Sequence, residues 1–151
     1  MLPFDRYEGG GRRLLGPPPP GDGTCRHGYG PAVFRQCGLN CVYCGRFLGA
    51  PYEAWLDLSV DHVVPRHAAA RLGIPSAWVE DLANLVTCCR ACNEFLNQYK
   101  VKLALPPPAN LDAFFDLRDR VFLEKQELAL RRHLEERARY RRWGNELDRP
   151  G

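Results

Sequence analysis

Two Cys-x-x-Cys pairs constrain this chain more than any other feature of its sequence. Cys41-Val-Tyr-Cys44 is followed by Gly45, and Cys89-Arg-Ala-Cys92 lies further along the chain. Each pair can place two thiolates on one side of a tight turn, and two such turns make the closed tetrahedral site typical of structural zinc. We therefore predict that Cys41, Cys44, Cys89 and Cys92 bind Zn²⁺, which in a small domain adds directly to the free energy of folding.

The chain has seven cysteines, so other assignments stay open. Cys88 and Cys37 are the residues that could replace a ligand if the register of a pair is different. Cys25 and Cys37 are interpreted as free thiols, with a second metal on Cys25, His27 and Cys37 as the alternative. A redox protein would use a single Cys-x-x-Cys pair at the start of a helix, and the presence of two pairs favours zinc.

Length, charge and cysteine usage restrict the class of protein. A chain of 151 residues is expected to form one domain with tails, and its net charge of +3 means that any basic surface must be local. The N-terminus has no apolar core of a signal peptide, and no apolar run approaches the roughly 18–20 residues of a membrane span. We expect a cytoplasmic protein without a membrane segment, because clustered cysteines in a reducing compartment are more often metal ligands than disulfides.

The distribution of glycine, proline and apolar residues predicts three parts. Residues 1–24 are rich in Gly and Pro and are expected to be a flexible tail. Residues 25–105 would form the core, with a strand over residues 56–64, an extended piece over residues 84–88, and a helix from near Arg90 to about Leu103. Residues 106–151 would form a basic helix of about 30 residues, either continuous or broken once and capped by Asn110, that packs on the core or binds DNA.

Between the cysteine pairs lies a set of residues suited to phosphodiester hydrolysis. Asp61-His62-Val-Val-Pro is followed by Asn84-Leu, and Asn93 comes directly after Cys92. Hydrolysis needs a water nucleophile, a group that takes its proton, and a cation that stabilises charge on the phosphate. His62 is the candidate base, because a neutral imidazole near pH 7 accepts a proton. His67 is the alternative histidine, and we expect it to be exposed to solvent.

In this order the motifs resemble those of HNH endonucleases, over about residues 33–102. The resemblance implies an α+β fold, namely a zinc-stabilised ββα-metal core to which this chain adds a long C-terminal helix and a disordered N-terminus. It also implies that Asp61 and Asn93 hold a catalytic Mg²⁺ or Mn²⁺ and that Asn84 orients His62 by clamping its loop. Because Asp61 and His62 alternate on a regular strand, a turn or bulge is expected to bring both to one site.

Two departures from the family pattern affect the expected DNA contacts. The final position is Asn93 rather than histidine, which gives a neutral metal ligand. Where many members carry a lysine three or four residues later, this chain has Leu96 and Asn97, so Lys100 or Arg90 is the candidate phosphate contact. The resemblance implies DNA cleavage to 5′-phosphate and 3′-hydroxyl ends, in preference to RNA cleavage.

The last part of the chain carries an arginine cluster that could follow a DNA backbone. An ordinary solvated helix face is the alternative, and Tyr140 and Trp143 could instead pack the helix onto the core. The cluster consists of Arg131, Arg132, Arg137, Arg139, Arg141 and Arg142. A homodimer or a larger nuclease complex would allow double-strand cleavage. The rival function is a zinc-dependent nucleic-acid-binding or interaction module whose nuclease centre is silent.

Overall fold

A two-stranded antiparallel sheet lies against the helices of an α+β domain. In the computed structural model, which describes residues 1–20, 25–101 and 106–147, strand β1 spans Leu58–His62 and strand β2 spans Leu85–Cys89. Leu58 pairs with Cys89 and His62 pairs with Leu85 in a regular register. All five residues of β2 are buried, whereas β1 buries Leu58 and Val60 and directs the alternate residues toward the candidate site.

Six α-helices and short 3₁₀ turns of the described residues surround this sheet. The α-helices are α1 (Gly30–Cys37), α2 (Tyr52–Leu56), α3 (Arg66–Leu72), α4 (Ser76–Val79), α5 (Arg90–Leu96) and α6 (Leu111–Leu147). The strands are not joined by a tight hairpin, because α3, α4 and the 3₁₀ turn Leu82–Asn84 lie between them. Across the described ranges, no helix combines the length and apolarity that a membrane crossing needs.

Helix α5 follows β2 directly and completes a ββα unit. The Cys89 sulfur accepts the backbone N–H of Cys92, which caps the start of the helix. We predicted a longer helix that ends near Leu103, a position outside the described residues. The helix ends at Leu96 instead, and the chain continues through the buried residues Tyr99 and Val101, so packing rather than helical periodicity explains the apolar residues there.

Helix α6 is longer than predicted and has no break. Asn110 caps it by accepting the N–H of Ala113, as expected. The residues that face the core are buried up to Ala129, and they include Phe114, Phe115, Val121 and Phe122. Its 37 residues correspond to a length of about 55 Å. Tyr140 and Trp143 are 71% and 59% exposed, so they do not anchor the helix to the core.

The expectation of a flexible N-terminal tail is wrong for residues 1–20. Phe4 and Tyr7 are almost fully buried, and the Tyr7 hydroxyl donates to the backbone oxygen of Leu85 at 2.9 Å. The backbone N–H groups of Leu15 and Gly16 donate to the Asp81 carboxylate. The glycines and prolines suggested a segment unable to form a core, but its few aromatic residues enter the existing core of the domain. Both predicted boundaries, at residues 24 and 105, lie outside the described residues.

Candidate metal centre and active site

The four predicted zinc ligands meet in space. The sulfur atoms of Cys41, Cys44, Cys89 and Cys92 all lie within 4.8 Å of one another. The first pair sits on a tight turn in which the N–H of Gly45 donates to the oxygen of Cys41, and Gly45 has φ +77°, a conformation that favours glycine. The second pair lies at the start of α5. The register predicted from the sequence is confirmed, and this four-cysteine cluster is of the kind that holds structural zinc.

Proton sharing within the cluster also favours a bound cation. Hydrogen bonds to Cys41 and Cys44 raise the pKa of the Cys89 thiol far above its usual value, while hydrogen bonds from Cys41 and the second pair lower the pKa of Cys44. Four thiolates this close repel one another unless a positive charge lies between them. A divalent ion supplies that charge and displaces the remaining protons.

The other cysteines take no part in this cluster. Cys88 is fully buried and is not among the clustered ligands. The Cys37 sulfur accepts the N–H of Thr87 at 3.4 Å, and the Cys25 thiol donates to the oxygen of Leu58. Within the described ranges, no second group of ligands from Cys25, His27 and Cys37 is assembled. Their interpretation as free thiols therefore agrees with the structure.

Helix α6 places a histidine in hydrogen-bond contact with the four-cysteine cluster, and the sequence did not predict this contact. The Nε2 atom of His133 lies 3.2 Å from the Cys92 sulfur, and the ring packs edge-on against Phe95. An imidazole N–H that donates to a thiolate orients the ligand and offsets its charge. His133 follows Cys92 by 41 residues, so no spacing pattern marked it.

A cavity next to the zinc cluster brings together three of the predicted catalytic residues. Asp61, His62 and Asn93 line a cavity of about 210 Å³, together with Asn97 and Lys125. Of the turn or bulge expected to bring Asp61 and His62 together, the bulge is absent, since β1 pairs regularly with β2 over its whole length, and the chain bends directly after His62. His62 reaches the cavity because it is the last residue of β1, where the chain leaves the strand.

The two predicted metal ligands differ in their surroundings. Asn93 donates its amide N–H to Ser59 at 2.8 Å, which leaves its carbonyl oxygen without a hydrogen-bond donor among the described residues. One oxygen of Asp61, Oδ2, accepts from the Tyr43 hydroxyl at 2.5 Å and from the Lys125 ammonium at 2.6 Å. The remaining Asp61 oxygen and the Asn93 carbonyl are hard oxygen ligands that suit Mg²⁺ or Mn²⁺. The site therefore fits an ion that takes only a few ligands from the protein.

His62 forms a pair with a carboxylate that we did not predict. Its Nε2 atom lies 3.1 Å from Glu80, which also binds the guanidinium of Arg66 through both of its oxygens. The hydrogen bond from Arg66 lowers the pKa of Glu80 to about 2, so this group is ionised at neutral pH. Burial lowers the pKa of His62 below its ordinary 6.5, against the opposing effect of Glu80. His62 is therefore neutral at pH 7, with Nε2–H directed at Glu80 and Nδ1 able to accept a proton.

Asn84 clamps the loop that follows His62. It is completely buried, its oxygen accepts the N–H of Val64 at 2.9 Å, and its amide donates to the oxygens of Val64 and Val79. The backbone N–H of Val63 donates to the backbone carbonyl oxygen of Asn84. These hydrogen bonds hold Val63 and Val64, the two residues directly after the candidate base, in the way expected for Asn84.

The basic residues predicted to contact DNA are exposed except for Arg132, which is half-buried and lies over the Phe95 ring. Arg90 and Lys100 are exposed, as is His67, which lines the same cavity as His62. Within the arginine cluster of α6, Arg132 pairs with Glu135 and Arg139 pairs with Glu136, whereas the other four arginines form no ion pair within the described ranges. All six arginines of the cluster follow Ala129, the last buried residue in the part of α6 whose side chains the structure describes.

Together these features define a zinc-type ββα domain with a candidate hydrolytic cavity beside its metal cluster. A family model described as HNH endonuclease matches residues 41–97, a little over a third of the 151-residue chain. Residues 41–97 are therefore similar to HNH endonuclease domains, and this similarity supports a nuclease-type or nucleic-acid-interacting function. No curated protein and no solved structure matches the chain.

Proposed function

We propose that this protein is a metal-dependent endonuclease that hydrolyses DNA phosphodiester bonds. The observation that carries the proposal is the cavity that joins Asp61, His62 and Asn93 beside the zinc cluster, with His62 neutral and oriented. These residues were identified from the sequence by their chemistry and by the resemblance that their order carries, and all three line one cavity. The family assignment supports the same class of reaction.

In the proposed reaction His62 takes a proton from the attacking water. The ionised Glu80 holds Nε2–H, so Nδ1 is the basic atom, and the positive charge that develops on the ring is stabilised by the same carboxylate. The water oxygen attacks phosphorus, the bond to the 3′ oxygen breaks, and the departing oxygen receives a proton from solvent. The products carry 5′-phosphate and 3′-hydroxyl ends.

Asp61 and Asn93 are the proposed ligands of a divalent ion, Mg²⁺ or Mn²⁺. The ion would supply Lewis-acid stabilisation of the charge on the phosphate and on the departing oxygen. Asn84 acts as a positioning residue, because its side chain hydrogen-bonds only to backbone atoms, those of Val64 in the loop after His62 and of Val79. The zinc cluster holds the start of α5, and therefore Asn93, against β1.

DNA is the proposed substrate, with Arg90, Lys100 and the arginine cluster as candidate phosphate contacts. Phosphate contacts contribute affinity rather than sequence preference. Stepwise neutralisation of the cluster should therefore weaken binding to all duplexes alike and reduce the dependence of binding on salt. An unchanged salt dependence would remove the cluster from the interface.

One observation favours the second candidate, a binding module with a silent nuclease centre. The Lys125 ammonium already occupies one of the two Asp61 oxygens to which an ion could otherwise bind. A buried carboxylate held by lysine could serve the fold alone. The two candidates differ in whether the protein turns over substrate.

Cleavage of supercoiled plasmid tests the proposal. Purified protein is incubated with Mg²⁺ or Mn²⁺ and with EDTA, beside His62→Ala and His67→Ala, each checked for zinc content and helical circular dichroism. We expect metal-dependent nicking or linearisation that is lost in His62→Ala, since general-base catalysis contributes about 10²–10⁴-fold. Loss in His67→Ala alone would move the base to His67. Inert proteins that still bind zinc and duplex DNA would establish the silent module.

A further inference from the structure

A buried lysine from outside the matched domain neutralises the candidate metal ligand. Lys125 lies on α6, and its side chain is only 1% exposed. Its ammonium donates to Asp61 Oδ2 at 2.6 Å and to the backbone oxygen of His62 at 2.8 Å, and it lies 5.8 Å from the centre of the Tyr99 ring. A buried ammonium persists only when it is paired and hydrogen-bonded. Lys125 is therefore a fixed part of the site.

The two carboxylates at the cavity, Asp61 and Glu80, are each paired with a basic side chain. Asp61 is the only carboxylate among the residues that line the cavity in the described structure, and Lys125 offsets it. The nearby Glu80 carboxylate is held by Arg66. A divalent cation that approached Asp61 would therefore meet a carboxylate whose charge is already offset, with the ammonium of Lys125 a few ångströms away.

A phosphodiester changes this balance. It brings one negative charge and unesterified oxygens, which are good ligands for Mg²⁺ and Mn²⁺. Magnesium in proteins commonly keeps several waters and binds through one or two carboxylates together with substrate phosphates. Lys125 offsets the negative charge of Asp61, and a bound DNA strand would bring a new negative charge to the cavity.

Building on the proposed function, we propose that Lys125 makes metal binding conditional on DNA, so that the divalent ion and the scissile phosphate enter the cavity together. Lys125 is a positioning residue in this scheme, since it touches Asp61 and not the reacting atoms. The scheme predicts strong positive coupling between the ion and DNA. Because coupling is reciprocal, the ion must strengthen DNA binding by the same factor.

Mn²⁺ titration monitored by electron paramagnetic resonance tests the coupling in the zinc-loaded full chain. A His62→Ala background prevents cleavage, and each protein is titrated alone and with a short duplex, with the duplex alone subtracted. We expect weak Mn²⁺ binding without duplex and at least about tenfold tighter binding with it. In Lys125→Met, Mn²⁺ should bind at least about tenfold tighter without duplex, because a positive charge within a few ångströms is removed. The coupling to DNA should shrink accordingly.

Two further variants make the result specific. Arg35→Met removes a positive charge from the exposed face of α1 and should leave the Mn²⁺ affinity unchanged. Asp61→Asn should abolish the gain seen in Lys125→Met. If Lys125→Met loses zinc or helical structure, Lys125→Gln removes the same charge but keeps a donor for Asp61.

Each outcome decides between the two proposals. Unchanged Mn²⁺ affinity in a folded Lys125 variant, or tight binding to the unsubstituted chain without DNA, overturns the role of Lys125 and leaves the nuclease proposal standing. Absence of Mn²⁺ binding in every protein, with or without duplex, overturns the metal-dependent reaction and the role of Lys125 with it.

Discussion

Asn84 offers a quantitative test of how the active-site loop is held. In Asn84→Ala the N–H of Val64 and the oxygens of Val64 and Val79 lose their partner in a region where all three residues are almost fully buried. Each buried polar group left without a partner costs about 1–3 kcal/mol. The carbonyls are the more tolerant groups, so we expect a loss of about 3–5 kcal/mol in the free energy of unfolding.

Urea denaturation of the zinc-loaded protein measures this loss. With a slope of about 2 kcal/mol per molar urea, the midpoint should fall by about 1.5–2.5 M without a change in slope. Asn110→Ala is the matched control, because it removes the exposed cap of α6 and should cost only about 1 kcal/mol. A cost for Asn84→Ala no larger than that of Asn110→Ala would refute the clamp.

Asn84→Asp sharpens the test through its pH dependence. The new carboxyl can still accept from Val64, but in its ionised form it faces two carbonyl oxygens that previously accepted hydrogen bonds. Its pKa in the folded state should therefore lie above its value in the unfolded chain. The stability of this variant should rise as the pH falls toward about 4, because protonation restores one donor, and it should fall as the pH rises through the folded pKa.

Two further predictions concern the metal cluster and the candidate base. Purified protein should contain one zinc ion. The Cys44→Ser variant should lack zinc and should no longer unfold cooperatively, whereas Cys25→Ser should keep both properties. Metal analysis that shows equal zinc in both variants would contradict the assignment. Glu80→Gln removes the carboxylate whose hydrogen bond raises the pKa of His62 against the effect of burial. The acid limb of the cleavage profile should therefore move to lower pH, and the rate should fall at least about tenfold as the base loses its orienting charge. If Glu80→Gln cleaves more slowly but the acid limb of its pH profile does not move, Glu80 has only a structural role.

The zinc cluster and its register could be predicted because the information is local. A Cys-x-x-Cys pair with a following glycine specifies a turn within five residues, and Gly45 indeed has the positive φ that the turn requires. Asn110 as a helix cap has the same local character. Asp61, His62 and Asn93 were found by their positions relative to the cysteine pairs. Asp61 and His62 lie between the pairs, and Asn93 directly follows the second pair.

The residues that surround the site could not be predicted, because their partners are distant in sequence. Lys125 reaches Asp61 across 64 positions and Glu80 reaches His62 across 18. Without the fold, Lys125 is one charged residue in an amphipathic helix and Glu80 one acidic residue in a short turn. The expectation for the N-terminus was wrong for a related reason. Its composition is that of a linker, and only the partners of Phe4 and Tyr7 show that it belongs to the core.

Helix α6 is synthesised after the site residues that it contacts, and this order affects the charge of the site during synthesis. A chain is made from its N-terminus, and its early parts begin to fold before the later parts exist. All four zinc ligands are synthesised before Lys125 and His133, which reach the carboxylate of Asp61 and the sulfur of Cys92. A nascent domain can therefore hold zinc while Asp61 still carries an unopposed charge. Once α6 has been synthesised, Lys125 can pair with Asp61 and offset its charge.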